Sequence, residues 1–398
     1  MLGIILSAIL VLIMQPTNTP LTFSIADSLR NIPQEEWDKL FEKDLIESYG
    51  YQKTLEESGL QEFSFKYLLA RRSYSISAII PFFITEFPLT TLIDGAMHKI
   101  ADKFKDCSRL KLIFIGSITT EELYFGISKE EDFGLLMDGA LEKISRLCKE
   151  EKVAGIVFYN LSWRHKALAE YLKEKGYIEM ESLPGTIIEI QAPSIEKYID
   201  TLSKNTRKDL KKKLKRSSAQ AELTTVIRED IDGIVDEIFK LYMNNFDDSS
   251  VHFEVLTPEF FRRIFQNMPG QVKLFVTYDK KKIVAFNLCL IKGNFCIDKF
   301  IGLDSELALK YHLYFTTLYH NLDWCIKNGI RFYQPGATDY HPKMRFGAKL
   351  IPLFVYSKAF NPMLNYFVKT IARFIQPKNL DTSYKLICDP EKKIFRQD

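Results

Sequence analysis

The sequence predicts an α/β protein built from two tandem modules, each a mixed sheet flanked by helices. Two observations carry that prediction. Short runs rich in β-branched and aromatic residues alternate with amphipathic helical stretches, and one order of elements occurs twice: strand, two helices, strand pair, helix, strand, helix, strand. Ala192-Pro193 separates the two occurrences, because the residue before a proline is pushed out of helical geometry. The expected division is an apolar N-terminal segment over 1–20, a first domain over 21–192, a second over 193–376 and a flexible tail over 377–398.

In the first module LTFSIAD, from Leu21, alternates as a strand. Helices are expected over Trp37 to Leu45 and Tyr51 to Ser58, the second stopped by Gly59. FSFKYLLARR and SYSISAIIPFFIT read as adjacent antiparallel strands, and LKLIFIG as another. A long amphipathic helix follows over Glu130 to Glu150, then a buried strand at VAGIVFYNL, a helix over Arg164 to Lys175 capped by Gly176, and a closing strand at TIIEI. The second module opens with a basic helix and the strand AELTTVIRE. Helices are expected over Ile231 to Phe246 and Pro258 to Asn267, the latter with Thr257 as N-cap and proline at its first position. Strands at 271–279, 282–293 and 294–304 precede a long helix over Glu306 to Asn328, a strand at IRFYQPG, a loop, a strand at 350–360 and a helix over 362–374. No residue-level repeat accompanies this echo.

Composition is that of an ordinary globular chain: 398 residues, 46% hydrophobic, 13% aromatic, net charge +3. Six scattered cysteines with no CxxC pair fit a reducing cytoplasm, and six dispersed histidines without a ligand pair give no reason to expect a metal. Leu2 to Met14 is an apolar run shorter than the ~20 residues a spanning helix needs. A dispensable or wrongly assigned leader, a weak membrane anchor and a signal peptide all remain open for it. The expected location is the cytoplasm, with residues 2–14 the element that would give weak membrane association.

Charge is concentrated in KNTRKDLKKKLKR, Lys204 to Arg216, with eight cationic side chains. At 100° per residue Lys204, Arg207, Lys208, Lys211 and Lys215 fall on one face, opposite Leu210 and Leu214. Such a helix docks by one side and offers the other to phosphates, or simply to solvent. The second distinctive segment is YQPGATDYHPKMRFGAK, Tyr333 to Lys349, dense in ionisable and Gly/Pro residues between two apolar strands. No G-x-S-x-G, P-loop, HExxH or GxGxxG is present, which disfavours serine hydrolases of that type, P-loop NTPases, zincins and simple Rossmann enzymes.

The tandem order, LSKNTRKDLKKKLKR opening the second module, FIGLD running into a long helix, and GATDYHPKMRFGAKLIPLFVY together resemble the Fem-like and BioF2-like N-acyltransferases of the GNAT superfamily. EWDKLF, YQKTLEESG and LKEKGY are weaker echoes in the first module. The resemblance covers about Leu21 to Gln376 and implies two GNAT-like modules. It also implies transfer of an acyl or aminoacyl group, from acyl-CoA or from aminoacyl-tRNA, to an amine of a small molecule or cell-envelope precursor. One departure stands out: the (Q/R)xxGx(G/A) pyrophosphate loop is replaced by Ile301-Gly-Leu-Asp-Ser-Glu-Leu-Ala-Leu-Lys. Without those small residues close backbone approach to a pyrophosphate is less assured, which leaves room for a bulkier donor.

Direct attack of an amine on a carbonyl needs a base and a donor for the developing oxyanion, not a protein nucleophile. The candidate catalytic residues are Asp298, midway along a central strand, and Tyr340 and His341 beside Asp339 in the late loop. Lys343 and Arg345, with Lys204, Arg207, Lys208 and Lys211 of the basic helix, are the candidate substrate- or donor-binding cations. The competing expectation is a non-catalytic module in which the basic helix binds RNA or anionic lipid.

Overall fold

The computed structural model describes residues 20–41, 47–88, 109–247, 254–336 and 339–372. The N-terminal apolar run and the charged tail, with the expectations attached to them, lie outside these residues. Among the described residues no helix is long and apolar enough to cross a membrane.

Among the described residues fifteen strands form two sheets. The first contains β1 (Leu21–Ala26), β2 (Ser64–Arg72), β3 (Ser75–Pro88), β4 (Arg109–Ile115), β5 (Gly126–Ile127), β6 (Gly155–Leu161) and β7 (Ile178–Glu181). The chain then runs through β8 (Gly185–Glu189), β9 (Leu223–Arg228), β10 (Val272–Asp279), β11 (Lys282–Lys292), β12 (Phe295–Leu303), β13 (Phe332–Gln334), β14 (Lys349–Ile351) and β15 (Phe354–Ala359). The sheet orders are β1-β2-β3-β4-β6-β15-β7, with β5 on β3, and β14-β8-β13-β12-β11-β10-β9.

Each sheet has one parallel pair, β4 with β6 and β12 with β13, in an otherwise antiparallel ladder. A parallel pair needs a crossover, and the helices Phe133–Glu150 and Leu313–Lys327 supply them. That is the structural content of the repeated element order. Chain order and sheet membership nevertheless differ. β8 precedes Pro193 yet pairs with β13 and β14, while the late strand β15 pairs with β6 and β7. The two sheets thus exchange a strand across the expected boundary at 192.

Two further expectations need correcting. The run 350–360 is not one strand: Pro352, lacking an N–H, splits it, and its halves join different sheets. The long helix expected over 306–328 breaks at His312, whose φ of 50° is left-handed. Ser305–Ala308 and Leu313–Lys327 result, with Tyr311 and Leu313 turned into an apolar cluster with Val284, Ala285 and Leu303.

The largest apolar core is shared. Tyr51, Leu55, Phe83 and Phe114 of the first half pack with Phe260, Phe261, Leu274 and Leu288 of the second. Helix Val235–Asp247 lies so close to β12 that a Cβ on Gly302 would stand 2.6 Å from the Leu241 carbonyl carbon. A second core, on the opposite face of the second sheet, buries Leu210 of the basic helix with Leu318, Leu322 and Tyr333.

Candidate functional site

The basic helix forms over Lys204–Gln220, opened by Ser203, whose hydroxyl accepts from the Thr206 N–H. Leu210 is buried and Leu214 half-buried, so it docks by the side its pattern predicts. Lys204, Lys208 and Lys211 are exposed. Arg207 is not part of a free strip: its Nη1 donates to the Asp200 and Leu202 carbonyls at 2.9 and 2.7 Å, closing the end of helix Ile195–Thr201. Lys213 pairs with Asp209 at 2.8 Å and lies 3.6 Å from the centre of the Phe315 ring.

The late segment includes a short helix, Tyr340–Arg345, entered through left-handed Asp339. It is fastened at both ends. Arg345 Nη2 reaches Asp209 Oδ2 at 3.1 Å, joining this helix to the basic one, and the buried Tyr340 hydroxyl donates to the Pro184 carbonyl at 2.9 Å. Partial burial pushes the Asp209 carboxyl up, but the Lys213 hydrogen bond and the charges of Lys213 and Arg345 hold it below its ordinary range. His341 is exposed on the same helix.

Between these elements the second sheet opens. β12 and β13 pair through Phe295↔Phe332, Cys296↔Tyr333 and Ile297↔Gln334, and no further, so the strands part at Asp298. Separation at the C-terminal ends of parallel strands is where open α/β sheets place ligands. Lys343 is only 3% exposed, and its Nζ donates to the Gly336 carbonyl at 3.0 Å just past the end of β13. Asp298 Oδ2 accepts from Asn287 Nδ2 at 2.8 Å, the Tyr333 hydroxyl at 2.7 Å and Asn321 Nδ2 at 3.1 Å. Its Oδ1 is shut off from solvent without a hydrogen-bond partner. Burial pushes this carboxyl up to about 6, against the three hydrogen bonds and the nearby Lys343 ammonium.

The opposite face of the same strands borders a cavity of about 1460 Å³, with Ile297, Lys299 and Gln334 on one wall and Thr119, Thr120 and Glu121 on the other. Lys299 spans it, donating to the Thr119 carbonyl and to Glu121 Oε1, the latter at 2.7 Å. Burial alone would lower the Lys299 pKa, but Glu121, Tyr51 and Glu47 raise it overall. Burial lifts the Glu47 carboxyl to about 6 and that of Glu254 to about 7, each opposed by Lys299. Among the described residues no group of three or more His, Cys, Asp or Glu is arranged to hold a metal ion.

The FemAB-like family, described as peptidoglycan biosynthesis/recognition, matches residues 121–391. The chain belongs to the FemAB-like family. Two solved structures share its fold over most of their length. The crystal structure of FemX superposes with a TM-score of 0.53 at 10% identity, covering 87% of this chain and 100% of that one. A tandem GNAT protein from the clavulanic acid biosynthesis pathway gives 0.52 at 8% identity, covering 86% and 99%. The FemAB-like chain therefore has the tandem GNAT fold. No curated protein matches it.

In this FemAB-like protein the residues singled out from sequence fall into three groups. Asp298 and Lys343 come together at the parting of β12 and β13. Arg345 and the basic helix adjoin each other, but Arg207 is spent on a helix end. Tyr340 anchors the late helix to the β7–β8 connection, and His341 faces solvent. Sequence reasoning missed Asn287, Asn321 and Tyr333 around Asp298, and the Glu47, Glu121 and Lys299 group in the cavity. An amide within an otherwise apolar strand, as in AFNLCL, was the available signal for Asn287. Glu47, which is buried, and Glu121, which is half-buried, carry no local signal, because only tertiary packing brings them to Lys299.

Proposed function

We propose that this protein transfers an aminoacyl group from aminoacyl-tRNA to an amine of a cell-envelope precursor. The observation that carries this reading is the parting of β12 and β13 beyond Ile297 and Gln334, with Asp298 and the buried Lys343 ammonium beside it. The acceptor amine attacks the ester carbonyl, the Lys343 ammonium offsets the charge developing on the carbonyl oxygen, and Asp298 takes the proton lost by the amine. The carbon–oxygen bond to the ribose then breaks, and the proton passes to the departing hydroxyl. A carboxyl lifted to about 6 is nearer to a neutral operating pH than an ordinary aspartate.

The donor choice rests on the segment after β12. Asp304 Oδ1 already accepts from the Glu306 and Leu307 N–H groups at 3.2 and 3.1 Å, so a pyrophosphate would meet a carboxylate there. That weighs against acyl-CoA, the other donor class. The exposed Lys204, Lys208 and Lys211 suit an extended phosphate backbone instead. The test is transfer of labelled amino acid from a charged tRNA pool, against transfer from acyl-CoAs, to envelope-precursor amines. Turnover from tRNA that is lost on Lys343→Ala is the expected result. Turnover from acyl-CoA alone overturns the donor assignment, and tRNA binding with no turnover from either donor returns the protein to an RNA-binding role.

A further inference from the structure

We propose that Asn287, Asn321 and Tyr333 are positioning residues that orient the Asp298 carboxylate, gathering three hydrogen bonds on Oδ2 so that Oδ1 is the oxygen left to take a proton. The inference rests on the transfer reaction proposed above for the same opening. The three donors come from separate elements, β11, the crossover helix Leu313–Lys327 and β13, so the carboxylate is held from three directions. All three residues are at most 1% exposed, and Asn321 Nδ2 also reaches the Tyr333 hydroxyl at 3.2 Å. The β11–β12 register shifts between Leu288 and Cys289, leaving Lys299 unpaired in it, a local bulge directly beside Asp298.

A role in stability alone does not account for the arrangement. Both asparagines spend their amide N–H groups on one carboxylate oxygen, and Asn287 Oδ1, Asn321 Oδ1 and Asp298 Oδ1 are all buried without a partner. Leaving buried acceptors unsatisfied is unfavourable, and an apolar cluster of similar volume would avoid it. Donors converging on Oδ2 and the nearby Lys343 ammonium favour the ionised carboxylate, whereas burial favours the neutral acid. The other titratable groups that feel its charge, the Cys289, Cys296 and Cys325 thiols and the Tyr314 hydroxyl, are themselves pushed up by burial and stay neutral. The balance keeps the group able to change protonation state while fixing which oxygen does so.

The test uses the full chain with carbon-13-labelled aspartate. An aspartate carboxyl titrating near pH 6 should be present, disappear in Asp298→Asn, and move up by about one pH unit in Tyr333→Phe, which removes a single oxygen atom. Asn321→Ala should move it in the same direction, with circular dichroism confirming the fold of each variant. The acid limb of kcat/KM against pH should shift by the same amount, while the rate on the alkaline plateau changes far less than in Asp298→Asn. A carboxyl titration unmoved in both variants overturns the positioning role. Absence of turnover by the unmodified protein with either donor fails the transfer reading separately, because the carboxyl titration still reports on the network without it.

Discussion

At the scale of single residues, the site depends on how burial and neighbouring charge set each ionisable group. Lys343 is held by a backbone carbonyl, with Asp298 as a nearby charge. If Lys343 acts as the proposed donor to the developing oxyanion, whose removal slows such reactions by ~10²-fold or more, Lys343→Ala should reduce turnover by at least that factor with the fold intact. An unchanged rate sinks the role. Glu47 allows a test by stability. Its folded pKa, about 6, lies above its ordinary value, so the folded state is penalised above pH 6 and relieved as pH falls towards 4.5. Glu47→Gln should therefore stabilise the protein at pH 8 by about 2 kcal/mol, and the gain should shrink below pH 6. Denaturant midpoints across that range check it; a gain that does not depend on pH contradicts the assignment.

Among elements, the basic helix and the short late helix act as a pair through Asp209 and Arg345. In the proposed reaction the exposed Lys204, Lys208 and Lys211 would meet phosphate groups of the tRNA donor. Lys204→Glu with Lys208→Glu should raise the KM for tRNA by roughly tenfold and flatten its logarithmic salt dependence by about two, with kcat nearly unchanged. A fall in kcat at unchanged KM would place these lysines in the chemistry instead. Helix Val235–Asp247 poses a packing question. Gly302→Ala would drive its Cβ into Leu241 backbone and the Phe286 ring, and should destabilise by about 1–3 kcal/mol in urea titrations. A neutral substitution would mean that the helix is free to shift.

For the whole molecule, strand exchange and the shared core make the two modules interdependent. A fragment of residues 21–192 lacks β15, and one of 193–376 lacks β8, which leaves each sheet with a gap inside its ladder. Each fragment also exposes half of the core around Tyr51, Phe83, Phe260 and Leu288. Neither should fold alone, while the full chain should unfold in one cooperative transition. Sharp, independent unfolding of either fragment by circular dichroism would show the exchange to be dispensable.

The sequence by itself determined the kinds of element, their order and its repetition, because the periods of 2 and 3.6 are local properties of the chain. It also marked Asp298 as a charge in an apolar strand, and the docked side of the basic helix through Leu210. Tertiary structure alone decided which sheet each strand joined. TIIEI and LFVYSKA alternate in the same way whichever partner they meet, and only packing sends β8 and β15 across the boundary. Only the fold distinguished Lys204, which is free, from Arg207, which closes a neighbouring helix. Only the fold brought Asn287, Asn321 and Tyr333 onto one carboxylate oxygen, since hydrogen bonds between residues 11 to 35 positions from Asp298 leave no trace in local pattern.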